Sequence, residues 1–173
     1  MHKDLPEVRS PRVRARNLFA AGALAACSLL SSAALAGAYD DALSAATSGD
    51  ARALSSLLQR GVDPDTVDSN GNTLLILAAR DGRTDAVQAL LQYRAKINYR
   101  NAAGDSALML AVLRGHEDTA RFLIKAGAAL NQEGWAPLHY AAFEGREALL
   151  DDLVAAGADV NAPAPNQATP LML

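Results

Sequence analysis

The chain is poor in the residue types that build closed chemistry. It has one cysteine, Cys27, so no intrachain disulfide can form. Aromatic residues make up 5% of the 173 positions while alanine is abundant, which suits short, close-packed helices better than a deep enzyme pocket. Three histidines and that single cysteine show no zinc spacing. There is no G-x-S-x-G, no G-x-x-x-x-G-K-[ST] and no G-x-G-x-x-G, so no metal and no cofactor is expected. A general acid or base needs a second group within hydrogen-bond reach. Asp151-Asp152, adjacent on an expected helix, point about 100° apart and read as a solvated face. Residues 1–36 hold five of the 16 Lys/Arg and two of the 19 Asp/Glu, which leaves 11 basic and 17 acidic residues, a balance of −6. Phosphate binding needs clustered Lys/Arg, so nucleic acid is not expected as the partner.

What the chain does contain is a period. Gly71–Asn98 reads GNTLLILAARDGRTDAVQALLQYRAKIN, and Gly104–Asn131 reads GDSALMLAVLRGHEDTARFLIKAGAALN. Gly71 falls on Gly104, Leu75 on Leu108, Gly82 on Gly115 and Leu90 on Leu123, each 33 residues on. Self-similarity at that length indicates a repeat array. Within one unit Leu74, Leu75, Leu77 and Ala78 run at helical spacing up to Gly82, and Ala86, Val87, Leu90 and Leu91 follow at the same spacing. Thr73 stands where an N-cap belongs. Neither helix is long enough to persist alone, so each must bury its face on a neighbouring unit. An extended link with a tight turn, Asp68-Ser69-Asn70-Gly71, joins successive units, and Asn-Gly is expected to supply two positive-φ residues there.

These residues carry a resemblance. Pro137-Leu138-His139-Tyr140-Ala141-Ala142 resembles the T-P-L-H-x-A-A core of the ankyrin repeat, with Ala136 in the Thr position, and Thr169-Pro170-Leu171 restarts it. Ala126–Asn131 and Ala156–Ala162 resemble the ankyrin link. The resemblance spans roughly residues 39–173 and implies an all-α ankyrin-repeat solenoid, paired antiparallel helices joined by hairpin-like loops. The expected units are a degenerate capping repeat at 37–67, repeats at 68–100 and 101–133, a shortened repeat at 134–163 and an incomplete start at 164–173. The third unit loses three residues, because Leu108 to Leu138 is 30 residues, and the loss falls in Asn131–Gly134. A stunted hairpin, and a notch in the row of tips, is expected there. At the end either a truncation or an irregular flap is expected, since Leu171, Met172 and Leu173 would otherwise be exposed apolar surface.

The resemblance also implies a concave groove lined by first helices and hairpin tips. Its inner positions are Arg80 and Asp81, Leu113 and Arg114, Phe143 and Glu144. Trp135 and Tyr140 fall on the same side, and Ser69, Asn70, Asn72, Ala103 and Asp105 decorate the tips. Aromatics and Arg are the types that anchor interfaces, although Trp135 and Tyr140 can equally serve as packing between repeats. His139 and His116 read as structural hydrogen-bonding residues. The implied function is non-catalytic: a monomer that binds a partner protein through the groove and protects, holds or inhibits it. An enzyme subunit, the rival of another class, finds no residues to stand on.

Residues 1–36 read as a secretory signal. Arg9, Arg12, Arg14 and Arg16 form a basic start, Leu18–Leu30 is uncharged, and Ala34-Leu35-Ala36 is an A-x-A cleavage pattern. This predicts a bacterial, periplasmic protein. Leu24-Ala25-Ala26-Cys27 resembles a lipobox, so membrane contact is expected only if Cys27 is lipidated or the N-terminus stays uncut as an anchor.

Overall fold

A computed structural model describes residues 37–172. The expected signal segment 1–36, with Cys27 and the A-x-A site, lies outside the described residues, as does Leu173. The described chain is all-α. Residues 37–48 are helical (α1), followed by α2 (Ala51–Gln59), α3 (Leu74–Arg80), α4 (Thr84–Gln92), α5 (Ala107–Arg114), α6 (Glu117–Lys125), α7 (Pro137–Phe143) and α8 (Glu147–Ala155). A single 3-10 turn, Pro170–Met172, follows and packs on α7.

Helix starts follow from local chemistry. The Asp50, Thr73 and Ser106 side chains accept hydrogen bonds from the backbone N–H of Ala53, Ile76 and Met109, and so satisfy one otherwise orphaned donor each. The second helix of each later pair has no such side-chain cap. Acidic residues in the first turn, Asp85, then Glu117 and Asp118, then Glu147, complement the positive helix end instead. The backbone N–H of Arg83, His116 and Arg146 donates to Ala78, Ala111 and Ala141, which folds each second helix back on the first.

Packing runs between like helices. First helix meets first helix, α3 on α5 and α5 on α7, while second helices stack α2 on α4, α4 on α6 and α6 on α8. The core is one continuous column of leucine and alanine. Leu54, Leu75, Ala78, Leu90, Leu108, Ala111, Leu123, Leu138, Ala141, Leu149 and Leu153 are buried in it. Helices of seven to nine residues are marginal in water, so this column is what keeps them folded.

Three details differ from expectation or sharpen it. In the first tip only Gly71 has a positive φ, at 74°, while Asn70 does not. The Asp68 carboxylate takes over by accepting from the backbone N–H of Asn70 and Asn72, an Asx turn that needs one left-handed residue rather than two. The expected solvated pair divides: Asp151 is exposed, but Asp152 accepts from Arg121 Nε at 2.6 Å, which ties α8 to α6. Leu171 and Met172 are 88% and 74% exposed.

Candidate functional site

The last turns of the first helices carry the candidate residues. Arg80 ends α3, Leu113 and Arg114 end α5, and Phe143 ends α7, with Asp81 and Glu144 as the C-caps of α3 and α7. The repeat register aligns Thr47, Arg80, Leu113 and Phe143 in one row and Ser48, Asp81, Arg114 and Glu144 in the next. The face therefore changes character along its length. Its N-terminal part carries hydroxyl and charged side chains over an apolar floor: a cleft of about 640 Å³ is lined by Leu43, Ser44, Thr47, Ser48, Asp68, Leu77, Arg80 and Arg83. Arg80, which lines it, forms a two-pronged pair with Asp81, Nε to Oδ1 and Nη2 to Oδ2, both 2.9 Å. That pair holds the Asp81 carboxyl below its ordinary value and the Arg80 guanidinium above its own. The C-terminal part is apolar: Leu113 leans partly into the core and Phe143 is 64% exposed. Arg114 is exposed, and Glu144 lies 3.7 Å from Arg146.

Trp135 and Tyr140 come together. Their rings stack at 5.7 Å between centroids and 25° between planes, and Trp135 meets the His139 ring edge-on. Tyr140 Oη donates to Asp105 Oδ1 at 2.9 Å, across to the preceding tip. Burial, then the hydrogen bond to Asp105 and its negative charge, push the Tyr140 phenol up to about 12. Both rings stay half-buried, so they pack between repeats and keep an accessible edge.

The tips differ from one another. Asp68 N–H donates to Asn72 and Gly71 N–H to Asp68; Asn101 and Gly104 repeat the pattern with Asp105 and Asn101. Bridges Val67 to Thr73 and Arg100 to Ser106 close these two tips. Ala164 and Gln167 close a similar loop with Ala168 and Ala164. Among the described residues no such closure occurs between Asn131 and Ala136, where the sequence is three residues short.

The two described histidines act as structural hydrogen-bonding groups. His139 is fully buried; its Nδ1 accepts from Ala136 N–H and its Nε2 bonds the Ala162 carbonyl. This fixes the tautomer with the proton on Nε2. His116 Nε2 bonds the Arg80 carbonyl at 3.0 Å. A feature that sequence reasoning missed surrounds it. Arg83, His116 and Arg146 each lie over the turn glycine of the unit before, Gly49, Gly82 and Gly115, where a Cβ would meet them at 2.7, 2.5 and 2.8 Å. Arg83 Nε also donates to Thr47 O at 3.1 Å, so two of the three satisfy a last-turn carbonyl of the preceding first helix. The signal was present: each of the three directly follows a turn glycine, at the same place in every unit.

A family model described as Ankyrin repeats, in three copies, matches residues 42–132 and 94–164. The chain belongs to the ankyrin-repeat family. No curated protein matches it. Ankyrin repeats generally act as protein–protein interaction modules, which makes the graded face of this ankyrin chain, rather than any enclosed cavity, its candidate functional surface.

Proposed function

We propose that this ankyrin-repeat chain is a non-catalytic binding module, active in the bacterial periplasm, that protects, holds or inhibits a partner protein along the face formed by α3, α5 and α7. The observation that carries the reading is the row Arg80, Leu113 and Phe143. It ends in an aromatic ring 64% exposed, on a face whose other large apolar side chains, Leu77 and Leu110, are buried. Exposed aromatic and Arg side chains are the types that anchor interfaces. The test is affinity capture from periplasm, with the native chain beside Arg80→Ala/Leu113→Ala/Phe143→Ala. The variant should lose the captured partner while keeping its helicity by circular dichroism; equal capture by both would sink the groove.

The location rests on the basic start, uncharged run and A-x-A site of residues 1–36. Fractionation should find a mature chain in the periplasm. A second reading, a membrane-tethered scaffold, is favoured by Leu24-Ala25-Ala26-Cys27. Precursor accumulating under globomycin would select it, and an unchanged mature band would select soluble export.

A further inference from the structure

Asp105, at the end of the second tip, is a half-buried carboxylate with a single hydrogen-bond donor among the described residues, Tyr140 Oη. No described cation lies within ion-pair distance of it, whereas Asp81 has Arg80 and Glu144 has Arg146. Asp68 also has no described ion pair, but its carboxylate accepts three hydrogen bonds, from the Asn72 side chain and from the backbone N–H of Asn70 and Asn72, against one for Asp105. Arg100, on the same tip, commits its Nε to the Gly104 carbonyl at 2.6 Å. Beside Asp105 the next tip is unclosed, and the stacked Trp135 and Tyr140 rings stand there, with Phe143 one helical turn along α7. An uncompensated carboxylate favours a cation, and the accessible edge of the ring pair beside it can cover the aliphatic stem of a Lys or Arg. The −6 balance of residues 37–173 steers a cation toward the chain from a distance.

Building on the groove reading above, we propose that the bound segment of the partner carries a single basic residue. That Lys or Arg enters beside the second tip, sets its cation on the Asp105 carboxylate and lies along the Trp135–Tyr140 stack. An apolar neighbour in the same segment rests on Phe143 and Leu113. Arg114, exposed at the end of α5, disfavours a second positive charge, so the fit is to one basic residue flanked by an apolar one and not to a polybasic run.

A library of random 16-residue peptides, selected on the immobilised full chain, tests this directly. Enriched peptides are then titrated in solution against the emission of Trp135, the sole tryptophan. Asp105→Asn keeps an acceptor for Tyr140 and removes only the charge. Asp118→Asn, at a side chain 96% exposed on α6, removes the same charge elsewhere. Enriched peptides should share one Lys or Arg beside an apolar residue. Their affinity should fall roughly ten-fold in Asp105→Asn, fall further in raised salt, and hold in Asp118→Asn. Neutral or acidic peptides, or peptides indifferent to Asp105→Asn, overturn the basic partner. If those same peptides are lost in Arg80→Ala/Leu113→Ala/Phe143→Ala, the groove stands and only its chemistry was wrong. Peptides indifferent to the triple variant, or no enrichment at all, overturn the groove and this inference together.

Discussion

At the scale of single residues, the turn glycines separate two costs that usually travel together. Gly82 and Gly145 have nearly equal φ, 67° and 63°, but a Cβ at Gly82 would sit 2.5 Å from His116 Nδ1 while one at Gly145 meets nothing within 4 Å. Gly145→Ala should therefore cost only the left-handed strain, about 1 kcal/mol. Gly82→Ala adds a clash with a ring pinned to the Arg80 carbonyl and should cost roughly 2–3 kcal/mol. Urea unfolding measures both. Adding His116→Ala should return part of the Gly82→Ala loss, and an additive double variant would show that the ring and the glycine are uncoupled.

Tyr140 makes a second residue-scale prediction. Its phenol is raised above the ordinary value of 10.0 to about 12, so the folded state favours the neutral, donating form. For a raised group the stabilisation is complete below the unfolded value, about 10, and disappears as pH climbs through the folded one. Stability should fall between about pH 10 and 12, followed by urea unfolding with Trp135 emission, with tyrosinate absorbance rising late. Tyr140→Phe should flatten that portion of the slope. Asp81 behaves in the opposite sense: its carboxyl is held low by Arg80, so its contribution is present at neutral pH and is lost only as acid protonates it below the ordinary 3.8.

At the scale of elements, α7 differs from the other first helices α3 and α5 by a defect at its start. Thr73 and Ser106 cap α3 and α5, but Ala136 has no acceptor to offer α7. His139 supplies the reciprocal half of a capping box by accepting from Ala136 N–H, so only the forward bond is missing. Ala136→Thr should add a side-chain acceptor for His139 N–H, which already donates to the Ala136 carbonyl at 3.0 Å, so the gain should stay below the ~1 kcal/mol of a full cap, read as a slightly higher melting temperature. A lower one would mean that the 2%-exposed site has no room for the added atoms. How much of this could be read from sequence varies by element. The helix pairs were legible because leucine and alanine spacing is a local property, and the missing tip because three absent residues are countable. The one-glycine turn at Asp68 was not, since Asn-Gly names a turn without revealing that a carboxylate upstream already satisfies two of its N–H groups. The ring stack of Trp135 on Tyr140, and the reach of Tyr140 to Asp105, were not legible either. They depend on how two repeats meet across 35 residues.

At the scale of the whole stack, support is unequal by position. Helix α5 is packed between α3 and α7, and α4 between α2 and α6, whereas α8 packs chiefly on α6 and α7. Arrays of this kind gain stability from nearest neighbours, so amide exchange should be slowest in α4 and α5 and should speed toward α8. Uniform protection from α2 to α8 would instead indicate one all-or-none unit. The candidate face was legible at this scale only as a row of positions. Its division into a charge-neutralised part around Arg80 and an aromatic part around Phe143 came from which side chains pair and which remain open.

The side chains that rest on the preceding glycine carry a last consequence. Arg83 reaches back to Thr47 and His116 to Arg80, and each is shaped to its own seat. The units are thus keyed rather than modular, and their order is part of the sequence's information. A chain with the stretches 68–100 and 101–133 exchanged would keep composition, length and period. It would also seat an imidazole where the longer guanidinium now spans the joint, and it should assemble poorly for that reason alone.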